Sequence, residues 1–378
     1  MIPVAKPWIG AEEAEAAAAA VRSGWVAQGP RVAEFEASFA AQMGASHGVA
    51  VSSCTTALHL ALHMCRVGPG DEVVVPSFSF IATANCAVYV GATPVFADVE
   101  AEDGNVSART VEEALTERTR VVVVVDQGGM PADIAPIREL CEHRGIALVE
   151  DAACGAGSRY HGAPVGAGGS MVAWSFHPRK LLTTGEGGML TTSVAEVAAR
   201  ARRLREHGMD ISAAERHQSR QPVIERYLEV GFNYRMTDIQ AAVGLVQLGK
   251  LDAMVRRRRE LAARYQHMLA DVPGLRTVRD PAWGESNFQS FWVELDASFP
   301  LDRGELLSAL AEAGISARAG IMAAHRQPAY DGRPHGDLAV TERLTDSTVI
   351  LPLFHSMTEG EQHQVVDVVR RAAGLRAA

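Results

Sequence analysis

The chain has 378 residues, more than one ordinary hydrophobic core takes in, so two domains are expected. A formal charge of −9 leaves no basic field for a nucleic acid or an anionic membrane surface, and neither partner is expected. The 47% hydrophobic and 21% charged content is that of a soluble globular protein.

No run of about 18 apolar residues occurs, and the N-terminus has no basic stretch leading into an apolar one. Cys54, Cys65, Cys86, Cys141 and Cys154 form no C-x-x-C pair and are odd in number, so neither a zinc site nor a disulfide framework is expected. The histidines form no tight cluster; His325 and His355 read as structural or substrate-contacting groups, and no metal site is expected. A reducing cytoplasm is the expected compartment.

An Ala-rich helix over 11–20 opens the chain. Six short apolar runs follow: Gly48 to Val51, Glu72 to Val75, Pro94 to Ala97, Val121 to Val125, Ile146 to Val149 and Met171 to Trp174. They are continuously apolar, as strands covered on both faces must be. Helical patterns over 55–66, 80–90, 109–117 and 133–144 alternate with them. Strand–helix alternation predicts an α/β fold with a largely parallel, doubly wound sheet, whose ligands gather at the carboxyl ends of the strands. A long helical pattern then runs from Asp238 towards Leu269, and Val272-Pro-Gly274 ends it. A strand over Gln289 to Leu295 and helices over Asp302 to Ala313 and Thr358 to Ala372 read as a smaller C-terminal α+β domain. The boundary is expected near residue 250, giving a large domain over 1–250 and a small one over 251–378. Arg256 to Arg259, the one basic run, reads as a solvated or interface face of the long helix.

The chemistry is expected at the strand ends. Asp151 ends one apolar strand. Ser175-Phe-His-Pro-Arg-Lys180 follows another and leads into the glycine-bearing loop Thr184-Gly-Glu-Gly-Gly188. A lysine in such a loop can be desolvated, its pKa lowered and its amine made nucleophilic towards an aldehyde. A carboxylate and an amine on neighbouring strand ends suit a pyridine-ring cofactor, which needs one to keep its ring nitrogen protonated and the other for its aldehyde carbon. Taken singly, a strand-end Asp such as Asp151 is usually a cap and a lone Lys such as Lys180 usually a surface residue. Ser52-Ser-Cys-Thr-Thr56 opens an apolar helix whose free N–H groups suit an anion, although plain N-capping explains the same residues. Phe80 falls at the same sheet edge, where an aromatic side chain either covers a flat ring or packs in the core. Neither G-x-G-x-x-G nor G-x-x-x-x-G-K-[ST] is present, which removes the dinucleotide and P-loop readings.

The motifs in their order resemble those of the DegT-type sugar aminotransferases, fold-type I enzymes dependent on pyridoxal 5'-phosphate (PLP). They are Ser23-Gly-Trp25, Gln28-Gly-Pro30, Phe35-Glu36, Ser53 to Leu58, Val75 to Thr83, Glu150 to Ala153, Ser175 to Lys180, Thr184 to Gly188, Asn233-Tyr-Arg-Met236 and Gln240-Ala-Ala242. The resemblance implies that Lys180 forms the Schiff base and moves the substrate proton, that Asp151 pairs with the ring nitrogen, and that Phe80 stacks on the ring. It implies phosphate contacts from Ser53, Cys54, Thr55 and Ser175, and from Asn233 to the partner subunit's cofactor in a homodimer with shared sites. The implied reaction moves an amino group from glutamate or glutamine to a keto sugar nucleotide or a keto-cyclitol, in amino-sugar or antibiotic biosynthesis. Sugar dehydration is the rival reading, disfavoured by the retained Lys180; a PLP-fold regulator without turnover is another. The chain departs from the family pattern at Cys154, where many members carry Gln near the cofactor's phenolic oxygen. It departs again at Asp126, where His is common, and at Cys54, where glycine is usual.

Overall fold

The computed structural model describes residues 1–211, 224–333 and 335–376. Two helices, α1 (Ala11–Ser23) and α2 (Pro30–Gln42), precede an alternating series. It comprises β1 (His47–Val51), α3 (Cys54–Met64), β2 (Glu72–Pro76), α4 (Ala82–Tyr89), β3 (Thr93–Ala97), α5 (Ala108–Ala114), β4 (Thr119–Val125), α6 (Ile134–Arg144) and β5 (Ala147–Asp151). A short ribbon, β6 (Arg159–Tyr160) and β7 (Ala163–Pro164), leads to β8 (Val172–Ser175), β9 (Gly188–Thr192) and α7 (Ala195–Leu204). The main sheet has the order β1-β9-β8-β5-β4-β2-β3. Val73, Val75, Val121 and Val123 pack towards α3 and α4 while Val74, Val122 and Val124 pack with Val111 of α5 and Ile137 of α6. Each such valine contributes about 1.5 kcal/mol or more of burial free energy, and together they fix which residues end each strand at the edge.

The six anticipated strands and the mostly parallel sheet are present. A seventh, β9, was not anticipated, and it runs antiparallel to both β1 and β8. It is a direct return after the Lys180 loop, so no crossover helix announces it. Helices α2 and α7 also lie outside the anticipated set.

A 31-residue helix, α8 (Asp238–Met268), follows. Thr237 caps it, accepting from the Gln240 amide at 3.2 Å. Ala241, Leu248 and Leu251 pack with Phe35, Phe39 and Trp174, whereas Leu261, Ala262 and Tyr265 pack with the C-terminal core. That core surrounds an antiparallel sheet of β10 (Leu275–Thr277), β12 (Phe291–Leu295), β14 (Thr348–Leu351) and β13 (Arg318–Ala319), with α9 (Arg303–Glu312), α10 (Ala339–Ser347) and α11 (Glu359–Ala372). The two-residue β11 (Gly284–Glu285) pairs instead with β6.

The basic run on α8 requires a correction. Arg258 is 5% exposed and donates to the carbonyls of Phe288 (2.7 Å), Leu353 (2.9 Å) and Gln289 (2.8 Å). Burial pushes its pKa down to about 9. Met254, Arg258, Leu261 and Tyr265 form one buried helical stripe, so position 258 faces the core whatever its charge.

Candidate active site

Asp151 ends β5, with its carboxylate under the first turns of α3 and α4. Thr83 Oγ1 donates to Oδ2 at 2.9 Å, the Ala153 N–H donates to Oδ1 at 3.1 Å, and Cys54 Sγ lies 3.8 Å from Oδ1. Burial pushes the Asp151 pKa above the ordinary aspartate value, against the opposing pull of Thr83, Ala153, Lys180 and Cys54.

Lys180 is carried by a closed loop. Its N–H bonds the His177 carbonyl at 2.8 Å, and the Phe176 and Gly187 backbones meet at 2.9 Å. Gln289 ties the loop from outside, accepting from Leu181 N–H at 2.9 Å and donating to the Arg179 carbonyl at 2.5 Å. Lys180 Nζ reaches Cys154 Sγ at 3.1 Å. Burial disfavours the ammonium form, but the Cys154 sulphur, with Cys54 and Asp151 behind it, outweighs burial, and the pKa stands above the ordinary lysine value. The expected lowering does not occur in this arrangement, because the sulphur and carboxylate around the amine stabilise its charge.

The turn before α3 lies on the same edge. Ser53 caps the helix, accepting from Thr56 N–H at 3.2 Å, while the Cys54 and Thr55 N–H groups, first in the helix, have no acceptor among the described residues. β9 brings Ser175 beside this turn, since Gly188 pairs with Ser175 on one side and Val51 on the other. A Cβ on Gly188 would fall 2.3 Å from the Ser53 carbonyl carbon, so only glycine permits this approach. Phe80 is 64% exposed, an uncovered aromatic face at the end of β2. Asn233 is exposed and bridges by its backbone to Glu206; its side chain has no hydrogen-bond partner among the described residues.

Asp151, Lys180, Cys54 and Cys154 thus form one cluster, and Ser53, Thr55 and Ser175 border one strand edge. Buried carboxylate, buried amine, helix N–H groups without acceptors and an open aromatic ring fit a phosphorylated pyridine aldehyde. Residues missed from sequence include Thr83, which was visible only as part of a motif, and Gln289 and Asn287. The Asn287 amide donates to the Cys154 carbonyl at 2.7 Å and so fixes that residue. No local pattern marks it, 133 positions away.

Comparison with known proteins decides the family. The model of the DegT/DnrJ/EryC1/StrS aminotransferase family matches residues 7–370. The chain belongs to the DegT/DnrJ/EryC1/StrS aminotransferase family. Among this family's relatives, the chain is 37% identical over 374 residues to the spore coat polysaccharide biosynthesis protein SpsC of Bacillus subtilis (strain 168), covering 98% of this chain and 96% of SpsC. Among solved structures it is similar to the aminotransferase TlmJ from Streptoalloteichus hindustanus, with a TM-score of 0.91, 38% identity and 99% of both chains covered. It is also similar to DesV of S. venezuelae, with a TM-score of 0.88, 36% identity, and 96% of this chain and 94% of that one covered. As a member of the DegT/DnrJ/EryC1/StrS family the protein is an aminotransferase, and the family implies PLP as its cofactor.

Proposed function

We propose that this aminotransferase moves an amino group from glutamate or glutamine onto the keto carbon of a sugar nucleotide or a related cyclitol, in the cytoplasm, within amino-sugar or antibiotic biosynthesis. The observation that carries this reading is the meeting of the Lys180 amine and the Asp151 carboxylate in one buried cluster. A similar protein, DesI, is known with its TDP-sugar product, which favours the sugar nucleotide as acceptor.

Ser53, Cys54, Thr55 and Ser175 would hold the cofactor's phosphate, Phe80 its ring face, Asp151 its ring nitrogen and Lys180 its aldehyde carbon. When bound, PLP supplies an electron sink that stabilises negative charge on the reacting carbon. Asp151 holds a proton on the ring nitrogen, and Thr83 fixes the carboxylate while it does so. Lys180 Nζ would carry the proton from the donor carbon to the cofactor's aldehyde carbon in the first half-reaction, and from there to the acceptor carbon in the second. Cys154, held by Asn287, stands beside that nitrogen and steadies its charged form. Asn233 reaches the partner subunit's phosphate in a homodimer with shared sites. The same reading keeps a large cofactor-holding domain up to about residue 250 and a smaller domain after it.

The test is spectroscopic. Protein loaded with PLP should change its near-visible absorption on adding glutamate or glutamine, and recover it on adding the correct keto sugar. A spectrum that answers no amino donor overturns the reading and favours a regulator. A screen of keto-sugar nucleotides against keto-cyclitols then identifies the acceptor.

A further inference from the structure

Three carboxyl groups meet where β4 and β5 end: Asp126 (2% exposed), Glu150 (4%) and Asp151 (4%). Side chains alternate along a strand, so Glu150 and Asp151 point to opposite faces of the sheet. Asp151 takes the face of Thr83 and Cys54. Glu150 takes the other, where it lines a cavity of about 50 Å³ together with Asp126, Arg138 and Tyr160.

Asp126 Oδ1 accepts the Ala132 N–H at 3.1 Å, whereas Oδ2 is fully buried without any donor among the described residues. The carboxyl that lines the same small cavity as Asp126 is that of Glu150, and the two groups act on each other's charge. Among the described residues, no other side chain donates to Asp126 Oδ2. Tyr160 donates its hydroxyl proton to Asp133 at 2.6 Å. Gly155 lies so close that a Cβ there would stand 3.2 Å from Oδ2, which leaves no room for a donor side chain on that flank. Charges lead to the same result. The cations near these three carboxyls are Lys180, towards Asp151, and Arg138, towards Glu150. Two buried carboxylates sharing a site cannot both ionise cheaply, and the weaker acid keeps its proton.

We propose that Asp126 and Glu150 hold one proton between them on the back face of the strand end that carries Asp151, which makes Asp126 a positioning residue for that carboxylate. With the proton in place, two carboxylates face two cations, and Asp151 keeps its charge for the ring. Without it, an uncompensated negative charge stands one residue from Asp151. Burial pushes both groups up, Glu150 to about 7, and the neighbouring Glu150 carboxylate pushes Asp126 further, well above the ordinary carboxylate range, while Asp126 as hydrogen-bond donor draws Glu150 back down. The proton has a route to solvent, because a wider pocket of about 290 Å³ shares Ile134, Arg138 and Glu150 with the small cavity. The consequence for catalysis rests on the assignment of Asp151 to the cofactor ring; the proton itself does not.

Infrared spectra of the full chain loaded with PLP test the proton directly. At pH 8, above the Glu150 value of about 7, the wild-type protein should still show the C=O stretch of a buried protonated carboxyl, and Asp126→Asn should abolish it. Glu150→Gln supplies the same loss should the first variant fold poorly. No such band in the wild type, or a band that survives both substitutions, overturns the proposal. A second readout follows from linkage. Both folded pKa values lie above the unfolded carboxylate value of about 4, so the shared proton stabilises the fold fully below that pH and less as pH rises towards about 7. The stability difference between wild type and Asp126→Asn should therefore shrink over that range, and a constant difference would contradict a shared proton. The positioning role predicts that the limb of the rate profile in that range flattens in Asp126→Asn and not in Asp126→Ala, which lacks the amide donor; identical profiles refute it. Borohydride labelling at a lysine other than Lys180 would instead overturn the cofactor assignment, and leave the infrared band unaffected.

Discussion

Lys180 Nζ and Cys154 Sγ lie 3.1 Å apart, and the sulphur is the main attraction that holds the Lys180 pKa above its ordinary value against burial. Removing the sulphur leaves burial less opposed. Cys154→Ala should therefore lower the Lys180 pKa, raise the neutral amine fraction at a given pH and speed the reaction of PLP with the apoprotein. The rate of the absorbance change against pH measures this. An unchanged or upward-shifted midpoint would show that Cys154 does not stabilise the ammonium. Lys180→Ala should abolish transamination, and borohydride reduction followed by peptide mapping should label Lys180 in the parent protein.

Asp151 and Thr83 should separate in magnitude. Asp151→Asn removes the charge that keeps the ring nitrogen protonated, so turnover should fall by several orders of magnitude with PLP still bound, each tenfold being about 1.4 kcal/mol of barrier. Thr83→Val removes one hydrogen bond to a charged group, about 1.5 to 3 kcal/mol, and should cost roughly ten- to a hundred-fold. Near-normal turnover in Asp151→Asn would refute the pairing.

Asn233 tests the shared site. A lost phosphate contact costs about 1.5 to 3 kcal/mol, so Asn233→Ala should weaken PLP binding without unfolding the chain. Mixed dimers of Asn233→Ala and Lys180→Ala subunits should regain activity, because one of their two sites then has both residues intact. Tagged mixed dimers no more active than their parents would place Asn233 in its own subunit's site.

Arg258 should matter for stability far more than its neighbours on the basic run. Arg258→Ala leaves the carbonyls of Phe288, Gln289 and Leu353 without this donor, at about 1 to 3 kcal/mol for each that stays unsatisfied. The denaturant midpoint should drop sharply. Arg256→Ala should leave it nearly unchanged, since Arg256 is exposed and exposed charges contribute little. Equal effects of the two substitutions would mean that the buried guanidinium is not the clamp.

Local chemistry made several parts of this protein legible before its structure. A strand buried on both faces must be continuously apolar, so the ends of those runs marked Asp151 and the Lys180 loop. A helix start needs a capping hydroxyl, so Ser53 marked the turn with free N–H groups. The inward face of Arg258 was also encoded, in the stripe Met254, Arg258, Leu261 and Tyr265, and a run of four like charges concealed it. What only the tertiary structure decided are pairings between groups far apart in the chain. Thr83 meets Asp151 across 68 positions, Gln289 meets the Lys180 loop across 108, and the direction of β9 sets Ser175 beside Ser53. The pKa of Lys180 belongs to the same class. Burial can be anticipated from a strand-end position, but the sign of the shift depends on which sulphur and carboxylate the fold brings to the amine. Sequence periodicity reports the face a residue takes on its own element and carries no record of what another element places opposite it.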